Sequence, residues 1–246
     1  MTHPTLIFDL DGTLVRCAEY YKAAIVAFGE ATQERLGMPA AEAEELVRQI
    51  DICAIKASGS WMRDRWPRSF RGASLAADAM MGRDPDLKAA ADAVQLAEQT
   101  FLAPYPLYSG ARDVLLGARA DRWRLVLYTK GDPEVQWRKI RMNALEPLFH
   151  AIEVTPKKDV SHLRRLCHAH NVDIANSWMI GDSRRDDIGP ALALGLQTIQ
   201  VMTSTWDYDR AEHTASFEVP TVEDVLRIIT TYRRPQQVEG SAALPA

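Results

Sequence analysis

Two aspartates near the start of the chain are the first residues whose type and spacing suggest chemistry. The run T-L-I-F-D-L, residues 5–10, is apolar except for Asp9, and it leads into Asp11 and Gly12 in the sequence D-L-D-G-T. A short apolar run that stops at a turn dipeptide is typical of a buried strand that enters a loop. Gly12 permits a sharp backbone turn there. The sequence therefore predicts an acid pair at the end of a buried strand.

Polar side chains also end three later apolar runs. Thr129 closes R-L-V-L-Y-T (Arg124–Thr129) and is followed by Lys130, Lys157 and Lys158 follow A-I-E-V-T, and Asp182 closes S-W-M-I-G-D. In an open parallel sheet, ligands gather at the carboxyl ends of the strands. Carboxylates gathered there repel one another unless a hard cation such as Mg²⁺ neutralises them. A lysine beside that cation suits a phosphoryl group that is being transferred.

Taken in order, these residues resemble the motifs of the haloacid dehalogenase-like (HAD) superfamily. Its pattern is D-x-D-G-T, then Ser or Thr, then Lys, then G-D-x-x-x-D or a near variant. The matching parts are D-L-D-G-T-L-V, Thr129, Lys158 and I-G-D-S-R-R-D-D-I. The resemblance extends from Thr5 to about Thr230. The first and last motifs are specific, whereas Thr129 or Lys158 alone carries no information.

The resemblance implies a metal site and a nucleophile. Asp9 would attack phosphorus and form an aspartyl-phosphate intermediate. Asp11 would protonate the departing oxygen, later take a proton from water, and bind the metal through its backbone carbonyl. Asp182 would be a direct Mg²⁺ ligand. The implied metal site comprises Asp9, Asp11, Asp182 and Asp187.

The resemblance also implies contacts to the phosphoryl group. Thr129 would hydrogen-bond a phosphoryl oxygen, and Lys158 would pair with both Asp9 and the phosphoryl group. The implied catalytic residues are Asp9, Asp11, Thr129 and Lys158. The implied substrate-binding residues are Gly12, Thr129, Lys130 and Lys158.

Two positions stay open because similar residues are adjacent. Only one of Lys157 and Lys158 can face the site, and Lys158 is favoured because family members commonly place the lysine directly before an aspartate, here Asp159. Asp187 matches the family spacing in relatives with G-D-S-x-x-x-D-I, whereas a shorter spacing would select Asp186. The selected aspartate would support the metal shell or orient the lysine.

The elements around these residues predict an α/β fold. Apolar strand-like runs alternate with helical patterns at Ala111–Ala120, Pro133–Met142 and 160–170, which indicates a parallel sheet with helices on both faces. From Ala18 to about Phe101 the sequence is instead helical, except at residues 60–72. We therefore expect a Rossmann-like three-layer parallel-sheet core of residues 1–16 and 105–232. An α-helical cap domain of residues 17–104 would be inserted in it, and residues 233–246 would form a flexible tail.

An arginine- and tryptophan-rich stretch interrupts the predicted cap. Residues 60–72, S-W-M-R-D-R-W-P-R-S-F-R-G, read as a loop or broken helix. Its large side chains can clamp an anionic or aromatic substrate, or form a solvated arginine face over packed tryptophans. These side chains are Trp61, Arg63, Arg65, Trp66, Arg68 and Arg71.

Composition limits the class of protein. The 246 residues are 47% hydrophobic and 25% charged, with a formal net charge of −4, which argues against a dedicated nucleic-acid binder. No apolar run approaches the roughly 18–20 residues of a membrane span. Three scattered cysteines imply no disulfide framework, and the N-terminus lacks a signal-peptide profile. We therefore expect a cytoplasmic protein with no membrane or nucleic-acid partner.

The predicted function is a Mg²⁺-dependent phosphatase that acts on a small phosphorylated metabolite. The alternatives are a haloacid dehalogenase or a phosphomutase of the same superfamily, and, from another class, a non-catalytic phosphate-binding protein. Asp11 argues against a dehalogenase, because halide departure needs no protonation and dehalogenases of the superfamily lack this acid. The oligomeric state, monomer or homodimer, is left open.

Overall fold

A single parallel sheet organises the chain. The computed structural model describes residues 2–59, 61–203 and 212–231. Its strand order is β3-β2-β1-β4-β5-β6, and every neighbouring pair is parallel. The strands are β1 (Thr5–Phe8), β2 (Arg124–Lys130), β3 (Ala151–Thr155), β4 (Trp178–Gly181), β5 (Gln197–Val201) and β6 (Phe217–Val219).

The first strand lies in the middle of the sheet. Phe8 is in register with Leu127 of β2 on one side and with Ile180 of β4 on the other. The residues that follow β1 are therefore flanked by the ends of β2 and β4. This is the crevice at which open α/β sheets bind ligands.

The sheet is covered by helices on both faces. Leu6 and Phe8 pack into one apolar cluster with residues of the helices at Ala111–Ala120 and Asp224–Thr231, whereas Ile7 packs into another with residues of the helices at Val160–Ala169 and Gly189–Leu194. This alternation is the period of two that a strand buried on both faces requires. The described helices of eight residues or more are α1 (Ala18–Leu36), α2 (Ala40–Ser58), α3 (Arg65–Met80), α4 (Leu87–Thr100), α5 (Ala111–Ala120), α6 (Pro133–Met142), α7 (Val160–Ala169) and α9 (Asp224–Thr231), with the shorter α8 at Gly189–Leu194. The predicted α/β Rossmann-like fold is confirmed.

Helices α1–α4 lie between β1 and β2 in the chain and share an apolar cluster of their own. Phe28 of α1 and Phe70 of α3 meet edge to face with ring centroids 5.5 Å apart, and Val47 of α2 and Ala97 of α4 belong to the same cluster. Val135 of α6 also belongs to this cluster, so α6 contacts the four helices.

The predicted loop or broken helix at residues 60–72 is wrong from Arg65 onward, where α3 begins. Trp66, Phe70 and Ala73 recur at helical spacing and are buried in the α1–α4 cluster. Pro67 does not interrupt the helix, because it lies in the first turn, where backbone N–H groups have no intrahelical partner.

Two other expectations concern the C-terminal tail and a membrane-spanning helix. The predicted tail at residues 233–246 lies outside the described residues. Among the described helices, none has both the length and the apolar character needed to cross a membrane.

Candidate active site

The loop after β1 presents two aspartates to the centre of the sheet edge. The backbone N–H of Asp9 donates to the carbonyl of Ile180 at 2.9 Å, which continues the pairing with β4. The chain then turns tightly, because the N–H of Val15 bonds back to the carbonyl of Leu10 at 2.8 Å. Gly12 has φ +86°, and a Cβ there would collide with the Asp182 carboxylate. The turn therefore requires glycine for both its backbone conformation and its space.

Lys158 bridges two of the buried carboxylates. Its Nζ donates to Asp9 and, at 2.6 Å, to Oδ1 of Asp187. Burial alone would lower the pKa of Lys158, but the charges of Asp187 and Asp9 outweigh burial and raise the pKa above its usual range. Lys157 is exposed, so the structure brings Lys158, and not Lys157, to Asp9.

Three carboxylates form a compact acidic group. One oxygen from each of Asp9, Asp182 and Asp187 lies within 4.8 Å of the others, and all three residues are buried. Burial raises the pKa of each carboxyl group. The charge of Asp9 raises the pKa of Asp182 and of Asp187 further, and the charge of Asp11 does the same for Asp9. The pKa of Asp187 rises to about 7 despite its bond to Lys158.

This group fits a hard divalent cation. Three buried carboxylates with one neighbouring lysine concentrate negative charge, and carboxylate oxygens are ligands that Mg²⁺ prefers. The Asp11 carboxylate does not join the group. It accepts instead from Lys139, at 2.8 Å to each oxygen, and from Gln136 at 2.9 Å.

The doubled aspartate is divided between two lysines. A five-residue π-helical segment, Arg184–Ile188, follows β4 and turns Asp187 inward, where its carboxylate also accepts from the Ser183 N–H at 3.1 Å. Asp186 faces Lys130 instead and pairs with it. The structure therefore places Asp187, and not Asp186, against Lys158.

Thr129 closes β2 beside the acid pair and is buried. Its Oγ accepts from Nε2 of Gln136 at 2.6 Å, and that nitrogen also contacts Asp11. Lys130, the next residue, lies with its Nζ 4.2 Å from the centre of the Trp61 ring. Burial lowers the pKa of Lys130, and the Asp186 carboxylate opposes this effect.

A cavity of about 600 Å³ opens above these residues. Its floor includes Asp9, Asp11 and Asp182, and its far wall belongs to α1–α4. Four of the six arginines and tryptophans singled out in the sequence line it, namely Trp61, Arg63, Arg65 and Trp66. Arg68 instead pairs with Asp64 at 2.9 Å at the surface, and Arg71 is exposed.

The arginines in the cavity wall have acidic partners. Arg65 pairs with Asp51, whose carboxylate also accepts from the Ser69 hydroxyl at 2.9 Å. Arg63 pairs with Glu98 at 2.6 Å. The predicted arginine clamp is thus largely neutralised within α1–α4, and the aromatic rings supply much of the wall.

A model of the family described as haloacid dehalogenase-like hydrolase matches residues 3–195 of this sequence, which covers β1 through α8. The chain belongs to the haloacid dehalogenase-like hydrolase family. The resemblance read from D-L-D-G-T, Thr129, Lys158 and the acidic stretch after β4 is therefore confirmed.

Known HAD-like proteins are similar in sequence and in fold. The glyceraldehyde 3-phosphate phosphatase of Pyrococcus abyssi is 30% identical over 95 residues, which span 37% of this chain and only 40% of that relative. The structure of a haloacid dehalogenase-like hydrolase from Xanthomonas campestris superposes with a TM-score of 0.76 at 23% identity, covering 94% of this chain and 91% of the other. The L-2-haloacid dehalogenase of Xanthobacter autotrophicus superposes with a TM-score of 0.59 at 17% identity, covering 94% and 99%. Since one fold serves different chemistries, the activity must be argued from the site.

Two site residues of this HAD-like chain were missed in the sequence. Gln136 and Lys139 are buried on α6, next to Val135 and Ile140, on the face that meets the rest of the protein. The sequence did hold a signal. Lys139 lies four residues after Val135, and Gln136 lies four residues before Ile140, so both polar residues fall on the apolar face of the helix. Burial alone would lower the pKa of Lys139, but the Asp11 carboxylate outweighs burial and raises the pKa above its usual range.

Proposed function

We propose that the chain is a Mg²⁺-dependent phosphatase that hydrolyses a small phosphorylated metabolite through an aspartyl-phosphate intermediate. In this proposal Asp9, Asp182 and Asp187 surround the cation, together with the backbone carbonyl of Asp11. Residues 17–104 act as a cap domain over a core of residues 1–16 and 105–232.

One observation carries the proposal: three buried carboxylates lie within 4.8 Å of one another at the floor of a large cavity. Without a cation, this arrangement is electrostatically costly, and the raised pKa of Asp187 reflects that cost. A bound Mg²⁺ would neutralise the carboxylates and supply electrostatic stabilisation to a phosphoryl group.

The first half of the reaction forms a bond between Asp9 and phosphorus. A carboxylate oxygen of Asp9 attacks the phosphorus atom, and the bond from phosphorus to the leaving oxygen breaks. Asp11, protonated, donates its proton to that oxygen, which departs as an alcohol. Lys158 neutralises charge on Asp9 and on the phosphoryl oxygens, while Thr129 donates a hydrogen bond to one of them.

The second half returns the enzyme to its starting state. Asp11, now a carboxylate, takes a proton from water as the water oxygen attacks phosphorus. The bond between Asp9 and phosphorus breaks, and inorganic phosphate leaves. Both aspartates then carry the charges they had at the outset.

Asp11 favours the phosphatase over a dehalogenase. An alkoxide leaving group gains from a proton donor, whereas a halide does not, and the protonated carboxyl group of Asp11, two residues after the nucleophile, supplies that proton. The Pyrococcus phosphatase, similar over 95 residues, supports a phosphate ester as substrate. A phosphomutase would use the same groups but would keep water away from the intermediate.

The test is hydrolysis of p-nitrophenyl phosphate by the purified protein with Mg²⁺. We expect turnover that EDTA abolishes and Mg²⁺ restores, and none in the Asp9→Asn variant. Asp92→Asn, at an exposed aspartate of α4, is the matched control and should retain full activity. Robust turnover by Asp9→Asn would show that Asp9 is not the nucleophile.

A further inference from the structure

Lys139 is an unusual companion for a catalytic acid because it is a cation enclosed by protein. Only 2% of its side chain is exposed, and its Nζ lies 4.9 Å from the centre of the Tyr105 ring. Removing an ammonium group from water is costly unless a carboxylate compensates it. Asp11 supplies that carboxylate, with both oxygens 2.8 Å from Nζ.

This two-oxygen contact restricts how the acid can rotate. Contact with both oxygens keeps Nζ on the axis that bisects the carboxylate, and the Gln136 bond to Oδ2 limits rotation about that axis. Asp11 keeps 24% of its side chain exposed toward the cavity, while Lys139 lies behind it. The lysine therefore orients the face that Asp11 presents to a bound substrate.

Gln136 links the same acid to the end of β2. Its Nε2 lies 2.6 Å from the Thr129 hydroxyl, 2.9 Å from Oδ2 of Asp11 and 3.2 Å from the Lys130 carbonyl. An amide nitrogen carries two hydrogens, so it cannot satisfy three acceptors fully at once. The position of Asp11 is thereby tied to the hydroxyl proposed to hold a phosphoryl oxygen.

We propose that Lys139 and Gln136 are positioning residues that aim the Asp11 carboxyl group at the leaving oxygen of the substrate. This inference rests on the proposed phosphatase function. It assigns to α6 a role in the chemical step that is separate from binding the phosphoryl group.

Leaving groups of different strength provide the test. Phenyl phosphate expels a poor leaving group that needs a proton, whereas 2,4-dinitrophenyl phosphate expels a stable anion that does not. If Lys139 aims the acid, Lys139→Met should lower the rate of phenol release in the first turnover by about 100-fold, the lower range of a general acid's contribution, and that of dinitrophenolate release by less than about 5-fold. First-turnover rates are compared because Asp11 also acts in the later hydrolysis of the intermediate, which is common to both esters. KM should change little for either ester.

A matched control variant and a double-mutant cycle separate a positioning role of Lys139 from other roles. Arg141→Met, on the same helix, removes a cation that stacks on Trp137 and should leave both rates unchanged. In an Asp11→Asn background, Lys139→Met should cost little more, because residues that act through one another are not additive. If Lys139→Met does not fold, Gln136→Leu should show the same selective loss: a rate about 10-fold lower on phenyl phosphate, the ester with the poor leaving group, and little change on the dinitrophenyl ester.

Other outcomes overturn the inference in distinct ways. Equal losses on both esters would show that Lys139 acts only on stability or on the site as a whole. A higher KM with unchanged kcat would show that it binds substrate. If the wild type hydrolyses neither ester while it is folded and Mg²⁺ is present, the proposed function itself fails, and the inference with it.

Discussion

Lys158 Nζ joins Asp9 to Asp187 across the mouth of the sheet, with 2.6 Å to the Asp187 carboxylate. Asp9 follows β1 and Asp187 follows β4, while the lysine follows β3, at the far side of β2. Three separate strand ends therefore meet in one ion-pair network. Because all three side chains are buried, the two carboxylates depend on Lys158 for electrostatic compensation, and Lys158 depends on them.

The doubled aspartate gives a prediction with an internal control. Asp187→Asn removes a carboxylate from the acidic group and from Lys158, so activity on p-nitrophenyl phosphate should fall by about 100-fold or more. Asp186→Asn changes contacts with Lys130 and Arg185, outside the acidic group, and should lower activity by less than about 10-fold. Steady-state kinetics of both variants with excess Mg²⁺ make the comparison. Equal losses would contradict the assignment of Asp187 to the site.

Gly12 gives a second prediction, with Gly37 as its control. Gly12→Ala imposes a left-handed backbone on alanine, at a cost of about 1–2 kcal/mol, and also drives its Cβ into Asp182. Gly37 has a similar φ of +74° but nothing within 4 Å of the added Cβ, so Gly37→Ala isolates the backbone cost. Urea unfolding should show a larger loss for Gly12→Ala, and only that variant should lose activity. A fully active Gly12→Ala protein would argue against a tight acid loop.

The raised pKa of Asp187 predicts how stability depends on pH. Its folded pKa of about 7 lies above the 3.8 of an unperturbed aspartate, so the metal-free folded protein binds more protons than the unfolded chain between these values. This group therefore lowers the free energy of unfolding as pH rises through that window. Mg²⁺ competes with these protons, so the increase in Tm that it produces should be larger at pH 8 than at pH 5. Thermal unfolding with and without Mg²⁺ measures this, and an increase independent of pH would contradict it.

The buried Arg65–Asp51 ion pair, which joins α3 to α2, predicts a loss of stability when Arg65 is replaced. Only 11% and 13% of these side chains are exposed, so Arg65→Met leaves Asp51 with the Ser69 hydroxyl and no cation. The free energy of unfolding should fall by about 3 kcal/mol, as for other buried ion pairs that lose one partner. The double variant Arg65→Met, Asp51→Leu should recover part of that loss in urea unfolding. A double variant less stable than Arg65→Met would show that the carboxylate is compensated elsewhere.

Much of the sheet and its flanking helices could be predicted because the local pattern of apolar residues there matches the faces that the fold buries. The boundaries predicted for α5 and α6 match the structure, and β2 extends only one residue beyond its prediction. α3 was missed because Pro67 and the surrounding arginines suggested a break. The packing of Trp66 and Phe70 against α1 decided otherwise, and packing between elements leaves no local signal.

The site was predictable in its motif residues and less so in their partners. Asp9, Asp11, Thr129 and Asp182 stand at strand ends, and the sheet brings them together; their chemical roles stay predictions. The π-helical turn after β4 directs Asp187, and not Asp186, toward Lys158, and no spacing in the sequence predicts that turn. The contact between Lys139 and Asp11 spans 128 residues, so only the folded chain reveals it.

Asp132 touches both halves of the molecule. Its Oδ1 caps α6 by accepting from the N–H of Glu134 at 2.9 Å, while its Oδ2 accepts from the N–H of Arg63, in the segment that leads into α3. One carboxylate thus anchors the start of the helix that carries Gln136 and Lys139 and also tethers the wall of the cavity. A displacement of that wall would break the Arg63 bond to the same carboxylate that caps α6, so the wall and the helix that carries Gln136 and Lys139 are coupled through one side chain.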